Sequence, residues 1–169
     1  MEKIRFIAII DPYVGNGKRY GVVACEMINA LDKELVEYSN AFYRAQGIKE
    51  LEGCGDVEAT NARLALYIEK NKHSHTRLTL MMVNGEPVAI VMNTRYPKSK
   101  YASFWNFYVK PEHRSKGYGN KLIQYVMEQH RAAGYVEMGL TVHSTNPRAE
   151  ALYRRYGFEV NTKEMFVAL

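Results

Sequence analysis

The stretch RSKGYG, residues 114–119, decides how the rest of the chain is read. It separates an aromatic, strand-prone run, SFWNFYV (103–109), from an amphipathic one, YGNKLIQYVMEQHRAAG (118–134). A helix that starts just after a strand presents backbone N–H groups with no intrahelical acceptor, and these attract anions. Gly117 and Gly119 let the backbone approach a ligand with no Cβ in the way, and Arg114 and Lys116 add positive charge. An ordinary strand-to-helix turn with solvated basic residues has the same composition, so the two glycines alone leave both readings open.

Outward from this loop the pattern is that of a mixed sheet. Upstream, residues 77–83 and 87–94 read as strands of period two around Asn84-Gly85, a pair suited to the positive φ angles of a tight hairpin. A polar loop, YPKSK (96–100), leads into the strand 103–109. The N-terminal run IRFIAII (4–10) is a buried strand, bounded by Asp11-Pro12. Residues 18–45 carry Met27, Leu31, Leu35 and Tyr38 at helical spacing, with a break into two helices expected around 29–32. Gly47, Gly53 and Gly55 mark a loop, and 57–70 is helical again. Downstream, a helix over 118–133 is closed by Gly134, 136–142 is a strand, and a helix over 147–156 starts at Pro147 with Asn146 as its N-cap. That helix stops at Gly157, and 158–167 is read as a last strand. The order predicts an α/β (α+β) fold with a mostly antiparallel sheet and one parallel strand–loop–helix–strand crossover.

Bulk properties bound the function. A chain of 169 residues, 47% hydrophobic and 24% charged, suggests one ordinary globular domain, 1–169. A net charge of +5 suits an acidic ligand, but the basic residues are spread along the chain, which disfavours a dedicated nucleic-acid surface. Cys25 and Cys54 lie far apart and form no CxxC pair, so neither a disulfide scaffold nor a zinc site is expected, and a reducing cytoplasm fits best. His73 and His75 in KNKHSHT have no evident third ligand and read as a solvated loop; no metal is expected. The N-terminal apolar run is too short to span a bilayer, so no membrane association is expected.

Known phosphate loops can be tested against RSKGYG. The G-x-x-x-x-G-K-[ST] pattern has no match, and G-x-G-x-x-G fails because no third glycine follows Gly119. A second glycine cluster, Gly15, Gly17 and Gly21, is spaced one residue too long for a dinucleotide loop. A third pattern fits. VKPEHRSKGYGNKLI resembles the acyl-CoA loop of the GNAT N-acetyltransferase superfamily, [RQ]-x-x-G-x-[GA], with Arg114, Gly117 and Gly119 at its defined positions and Val109-Lys110-Pro111 before it. Residues 146–158, NPRAEALYRRYGF, are similar to the superfamily's N-x-x-A-x-x-L-Y-x-x-x-G-F segment. Either motif alone is short; both in the required order are specific. The resemblance covers roughly 76–169 as the acyl-CoA-binding core, which leaves 1–75 as the acceptor side.

The resemblance implies acetyl-CoA as co-substrate and a primary amine, of a small molecule or a protein, as acceptor. The CoA pyrophosphate would lie on backbone N–H groups of the loop, among Ser115, Lys116, Gly117, Tyr118, Gly119 and Asn120, with Arg114 beside them. The end of the preceding strand, Phe107, Tyr108 and Val109, would pair with the pantetheine arm, opened from the next strand by a bulge. Tyr153 matches the general acid that protonates the leaving thiolate, and Asn146 matches a position that contacts CoA or caps the helix. Tyr156 has no role in the pattern and is expected to pack. No carboxylate occupies YASFWNFYV, where many relatives carry their general base. Ser103, Trp105 or Asn106 could hold a water there, and His143 is the titratable candidate. The resulting expectation is an acetyl-CoA-dependent N-acetyltransferase, a monomer or homodimer, in which the amine attacks the thioester directly. Its rivals are a transferase of another acyl group and a GNAT-fold protein that binds CoA or a partner without turnover.

Overall fold

The computed structural model describes residues 1–9, 16–51, 58–59, 62–63, 66 and 76–167. In chain order its elements are β1 (Ile4–Ile9), α1 (Asn16–Gln46), β2 (Arg77–Val83), β3 (Glu86–Tyr96), β4 (Tyr101–Val109), α2 (Tyr118–Ala132), β5 (Glu137–Gly139) and α3 (Pro147–Arg155). The chain forms two compact units: Met1–Leu31 with Gly55–Leu140, and Asp32–Cys54 with Thr141–Leu169.

The first unit holds the sheet, ordered β1-β2-β3-β4-β5. The first four strands are antiparallel, and β5 joins β4 in parallel through the α2 crossover. This is the mixed sheet that the sequence predicts. The β2–β3 turn has Asn84 at φ 52° and Gly85 at φ 93°, the positive pair that an Asn-Gly hairpin requires. The period-two reading of β2 and β3 needs correction, because both are buried on both faces almost throughout. Leu80, Met81, Val88, Ala89, Ile90 and Val91 are inaccessible to solvent, which is why LTLMMV, broken only by the buried Thr79, and PVAIVM read as near-continuous apolar stretches.

Helix α2 packs on β3 and β4 and buries Tyr118, Leu122, Ile123, Val126 and His130 along one face. Its end follows a precise local rule. Gly134 takes φ 77°, its N–H donates to the Arg131 carbonyl (2.9 Å), and the Tyr135 N–H donates to the His130 carbonyl (3.0 Å). The His130 and Tyr135 rings then meet at 5.8 Å, the apolar contact that accompanies such a Schellman end. Arg95 Nη2 donates to the Gln129 carbonyl (3.0 Å) and places a cation at the negative end of the helix.

His130 is 4% exposed. Its Nδ1 donates to the Val126 carbonyl (2.7 Å), and Nε2 has no hydrogen-bond partner among the described residues. Burial holds its pKa below the ordinary 6.5, helped by nearby Arg95 and Arg77 and opposed by the Val126 carbonyl. A depressed histidine contributes stability above its unfolded pKa, and that contribution is lost as pH falls through the folded pKa. The melting temperature is therefore expected to drop on acidification below about pH 6.5, and His130→Gln should flatten that limb. A wild-type melting curve that is level from pH 7 to 5 would contradict this.

The structure departs from the sequence reading at three places. Helix α1 is continuous across 29–32, where Ile28, Asn29 and Leu31 are all buried on a stripe that carries it through. The strand expected over 136–142 is confined to Glu137–Gly139. Gly139 lies against Tyr101, whose hydroxyl a Cβ at that position would meet. Residues 158–167 form no strand. Val160, Met165, Phe166 and Val167 are all exposed, so the apolar composition that suggested a strand is not matched by burial. The helix expected over 57–70, the histidine loop 71–75, the turn at Asp11-Pro12 and Cys54 lie wholly or mostly outside the described residues.

In the second unit, Asn40 clamps the end of α1 to the following segment. Its Oδ1 accepts from the Leu51 N–H (2.7 Å) and its Nδ2 donates to the Leu51 carbonyl (3.2 Å). Among the described residues no helix is long and apolar enough to cross a membrane, and no group of three or more His, Cys, Asp or Glu side chains could hold a metal ion.

Candidate functional site

The loop that opens α2 is built on backbone conformation. β4 ends at Val109, and the Lys110 N–H donates back to Val88 on β3 (3.0 Å). A 3-10 turn, Pro111–His113, reverses the chain. Arg114 then ties the loop to the strand: its Nε donates to the Val109 carbonyl (2.8 Å) and its guanidinium lies 5.4 Å from the Tyr108 ring centroid. The arginine of the motif thus braces the loop.

Beyond Arg114, Ser115 (φ 63°) and Gly117 (φ 81°) have positive φ, and Lys116 between them does not. Alternation of this kind turns successive N–H groups toward one side as a nest for an anion. Gly117 is the N-cap of α2 and has no side-chain cap; the first intrahelical donor is the Lys121 N–H, to the Gly117 carbonyl (3.1 Å). The N–H groups of Tyr118, Gly119 and Asn120 belong to the turn before that donor, where the helix end carries partial positive charge. A Cβ at Gly117 would meet nothing within 4 Å, so open space adjoins the turn. Such a cradle suits a pyrophosphate without a metal. The two glycines differ in kind. Gly117 occupies a conformation that L side chains rarely adopt, whereas Gly119 is an ordinary member of the first helical turn.

The strand that feeds this loop is interrupted. β3 and β4 pair as Met92↔Trp105 and then as Ile90↔Tyr108, so β4 carries one extra residue between these pairs. Asn106 sits there at φ 50°, a conformation that Asn tolerates better than other side chains. Phe104 and Phe107, which would face opposite ways in a regular strand, have ring centroids 5.8 Å apart. The β4–β5 ladder ends at Ser103↔Gly139, while β4 continues to Val109. The strand pair thus parts before the stretch Phe107, Tyr108 and Val109 that adjoins the loop. The resemblance implied a bulge that opens this strand from the next one; the bulge observed is in its pairing with β3. Asn106, the one residue in YASFWNFYV suited to positive φ, was the available signal.

Tyr153, His143 and Asn146 belong to the second unit. Asn146 caps α3: its Oδ1 accepts from the Ala149 N–H (3.2 Å), and Pro147 fills the first turn. Of the two roles expected for Asn146, the geometry supplies the cap. The far end of α3 repeats the ending of α2. The Gly157 N–H donates to Arg154 (3.1 Å) and the Phe158 N–H to the Tyr153 carbonyl (3.2 Å), and the Tyr153 and Phe158 rings meet at 6.0 Å. The Y-x-x-x-G-F pattern is therefore a Schellman end that fixes Tyr153 from its own helix. Tyr153 is 8% exposed, and burial pushes its hydroxyl pKa well above the ordinary 10. The His143 ring stands 6.3 Å from that of Tyr38, whose carbonyl accepts from Thr145 Oγ1 (2.6 Å).

The structure gathers Phe107, Tyr108, Val109, Arg114, Ser115, Lys116, Gly117, Tyr118, Gly119 and Asn120 around one strand end and one helix start. It places Tyr153, His143 and Asn146 on and before α3. A nest leading into a helix start, beside a strand that outruns its parallel neighbour, defines a fold class that comparison identifies. Residues 44–158 match the model of the acetyltransferase (GNAT) family, and the chain belongs to that family. It is an N-acetyltransferase. Over 134 residues it is 28% identical to an S-alkylcysteine N-acetyltransferase of Bacillus subtilis, which covers 75% of this chain and 72% of that protein. Over 54 residues, 32% of this chain and 31% of the relative, it is 39% identical to an L-methionine sulfoximine/L-methionine sulfone acetyltransferase of Pseudomonas aeruginosa. Among solved structures, a predicted acetyltransferase of Clostridium acetobutylicum with acetyl-CoA aligns over 99% of this chain and 96% of its own, with a TM-score of 0.64 and 11% identity.

Proposed function

We propose that this protein transfers the acetyl group of acetyl-CoA to the primary amine of a small, amino-acid-like acceptor, with both substrates bound together. The observation that carries the reading is the alternating backbone at Ser115 and Gly117, which leads into the start of α2 beside the diverging end of β4. Bound acetyl-CoA supplies an activated thioester. The N–H groups from Lys116 to Asn120 hold its pyrophosphate, and Arg114 keeps the loop in place from behind. The edge of Phe107, Tyr108 and Val109 aligns the pantetheine arm and polarises the acetyl oxygen.

The amine nitrogen forms the new bond to carbon as the carbon–sulfur bond breaks. The Tyr153 hydroxyl, kept protonated by burial, donates to the departing sulfur. The amine attacks in its neutral form, the proton it sheds as the amide forms passes to water, and the Tyr153 phenolate is reprotonated from solvent; His143, on the same unit as Tyr153, is the candidate to relay the amine's proton. The acceptor class rests on the two curated relatives, whose names place S-alkylcysteines and methionine derivatives as their substrates.

The deciding experiment is a screen of amines with acetyl-CoA, read as free thiol. It spans S-alkylcysteines, methionine sulfone and methionine sulfoximine, then polyamines, aminoglycosides, lysine peptides and peptide N-termini. Thiol release is expected with the amino-acid derivatives. If acetyl-CoA raises the melting temperature while no amine accelerates thiol release, the protein binds without turnover and the proposal fails.

A further inference from the structure

A carboxylate from the far end of the sequence stands at the start of α2. Tyr118 Oη donates to Glu2 Oε1 (2.6 Å), and Lys121 Nζ lies 3.6 Å from Glu2 Oε2. The Lys121 ammonium also lies 5.6 Å from the Tyr118 ring centroid. The neighbouring backbone holds Glu2 in place: the Lys3 N–H donates to Asn84 Oδ1 (3.0 Å), and the Asn84 N–H donates to the Lys3 carbonyl (2.9 Å). The Tyr118 hydroxyl, then Lys121 and Lys116, hold the Glu2 carboxyl below its ordinary range, so it is charged at neutral pH.

Glu2 therefore neutralises part of the positive potential offered by Lys116, Lys121 and the N-terminal turn of α2. The same potential must attract the phosphates of acetyl-CoA. Both contacts of Glu2 are made to α2 itself, to its first residue and to Lys121 within the first turn and a half. We propose that Glu2 is a resident counter-ion that sets the affinity for acetyl-CoA, with Lys121 shared between the Glu2 carboxylate and the ligand's phosphates. Binding draws Lys121 from one anion to the other, and the carboxylate left behind opposes the bound phosphates. This inference rests on the acetyl-CoA reading of the loop.

The test is the acetyl-CoA dissociation constant by isothermal titration calorimetry for wild type, Glu2→Gln, Lys121→Met and the double variant, at low and high salt. Gln keeps an acceptor for Tyr118 and removes only the charge. Glu2→Gln is expected to tighten binding about threefold at low salt, the scale of an exposed ion pair. The gain should shrink at high salt, where exposed charges are screened, and again in the Lys121→Met background. If Glu2→Gln leaves the constant unchanged or weakens binding, Glu2 is a structural tether and the inference is overturned while the reading of the loop stands. If the wild type does not bind acetyl-CoA at all, that reading falls and takes the inference with it.

Discussion

Tyr153→Phe is expected to lower kcat about 100-fold, the lower range for loss of a positioned general acid, while changing the acetyl-CoA dissociation constant less than about twofold. The ring of Tyr153 is buried and meets Phe158 at 6.0 Å, so Phe preserves the packing and removes only the hydroxyl. Tyr156→Phe, three residues on, is the control and should retain full activity. The pH behaviour adds a second readout. Burial raises the Tyr153 pKa above 10, so the neutral hydroxyl contributes stability that is present below the unfolded value and lost as pH climbs through the folded one. The hydroxyl therefore remains protonated across the ordinary tyrosine range, and Tyr153 itself should impose no alkaline fall in kcat up to about pH 10. Full activity of Tyr153→Phe would remove the acid assignment.

Gly117→Val should weaken acetyl-CoA binding at least about tenfold and lower the melting temperature by about 3–8 °C. Gly117 has φ 81°, which a β-branched residue adopts only with strain, and its Cβ would enter the open space beside the helix start. Gly119→Ala separates the two effects. Gly119 lies within the first turn away from positive φ, so its stability should be unchanged or slightly higher. Only a loss of affinity would mark a close approach of ligand to backbone there. Calorimetric titration and thermal melting of the two variants decide it. If Gly117→Val binds acetyl-CoA as tightly as wild type, the loop is not the cradle.

Legibility followed the range of the interactions. The Asn84-Gly85 turn, the Asn146-Pro147 helix start and the glycine stops at Gly134 and Gly157 are each set by four or five consecutive residues, and the sequence displays them. The strand–loop–helix turn at 114–119 was legible through its two motifs, although the positive φ of Ser115 had no signal because serine carries none. What depends on distant parts of the chain was hidden. Glu2 meets Tyr118 across 116 positions, and no local pattern announces it. Gly139, the last β5 residue of the β4–β5 ladder, lies against Tyr101, a contact between strands on either side of α2. The last ten described residues have strand-like composition, yet Val160, Met165, Phe166 and Val167 are exposed and no strand forms, so composition alone suggested the wrong element.

The extra residue at Asn106 amounts to a frameshift in space. Before it, Phe104 sits opposite Asn93; after it, Tyr108 sits opposite Ile90, on the other side of the sheet from where even-numbered counting would put it. Everything downstream inherits the inverted phase, including the Tyr108 ring that receives Arg114 and the Val109 carbonyl that accepts from it. The arginine of the loop motif meets its strand at Tyr108 and Val109, just beyond the residue that is counted but not paired. The motif at 114–119 is thus only half of a device whose other half is a single asparagine on β4.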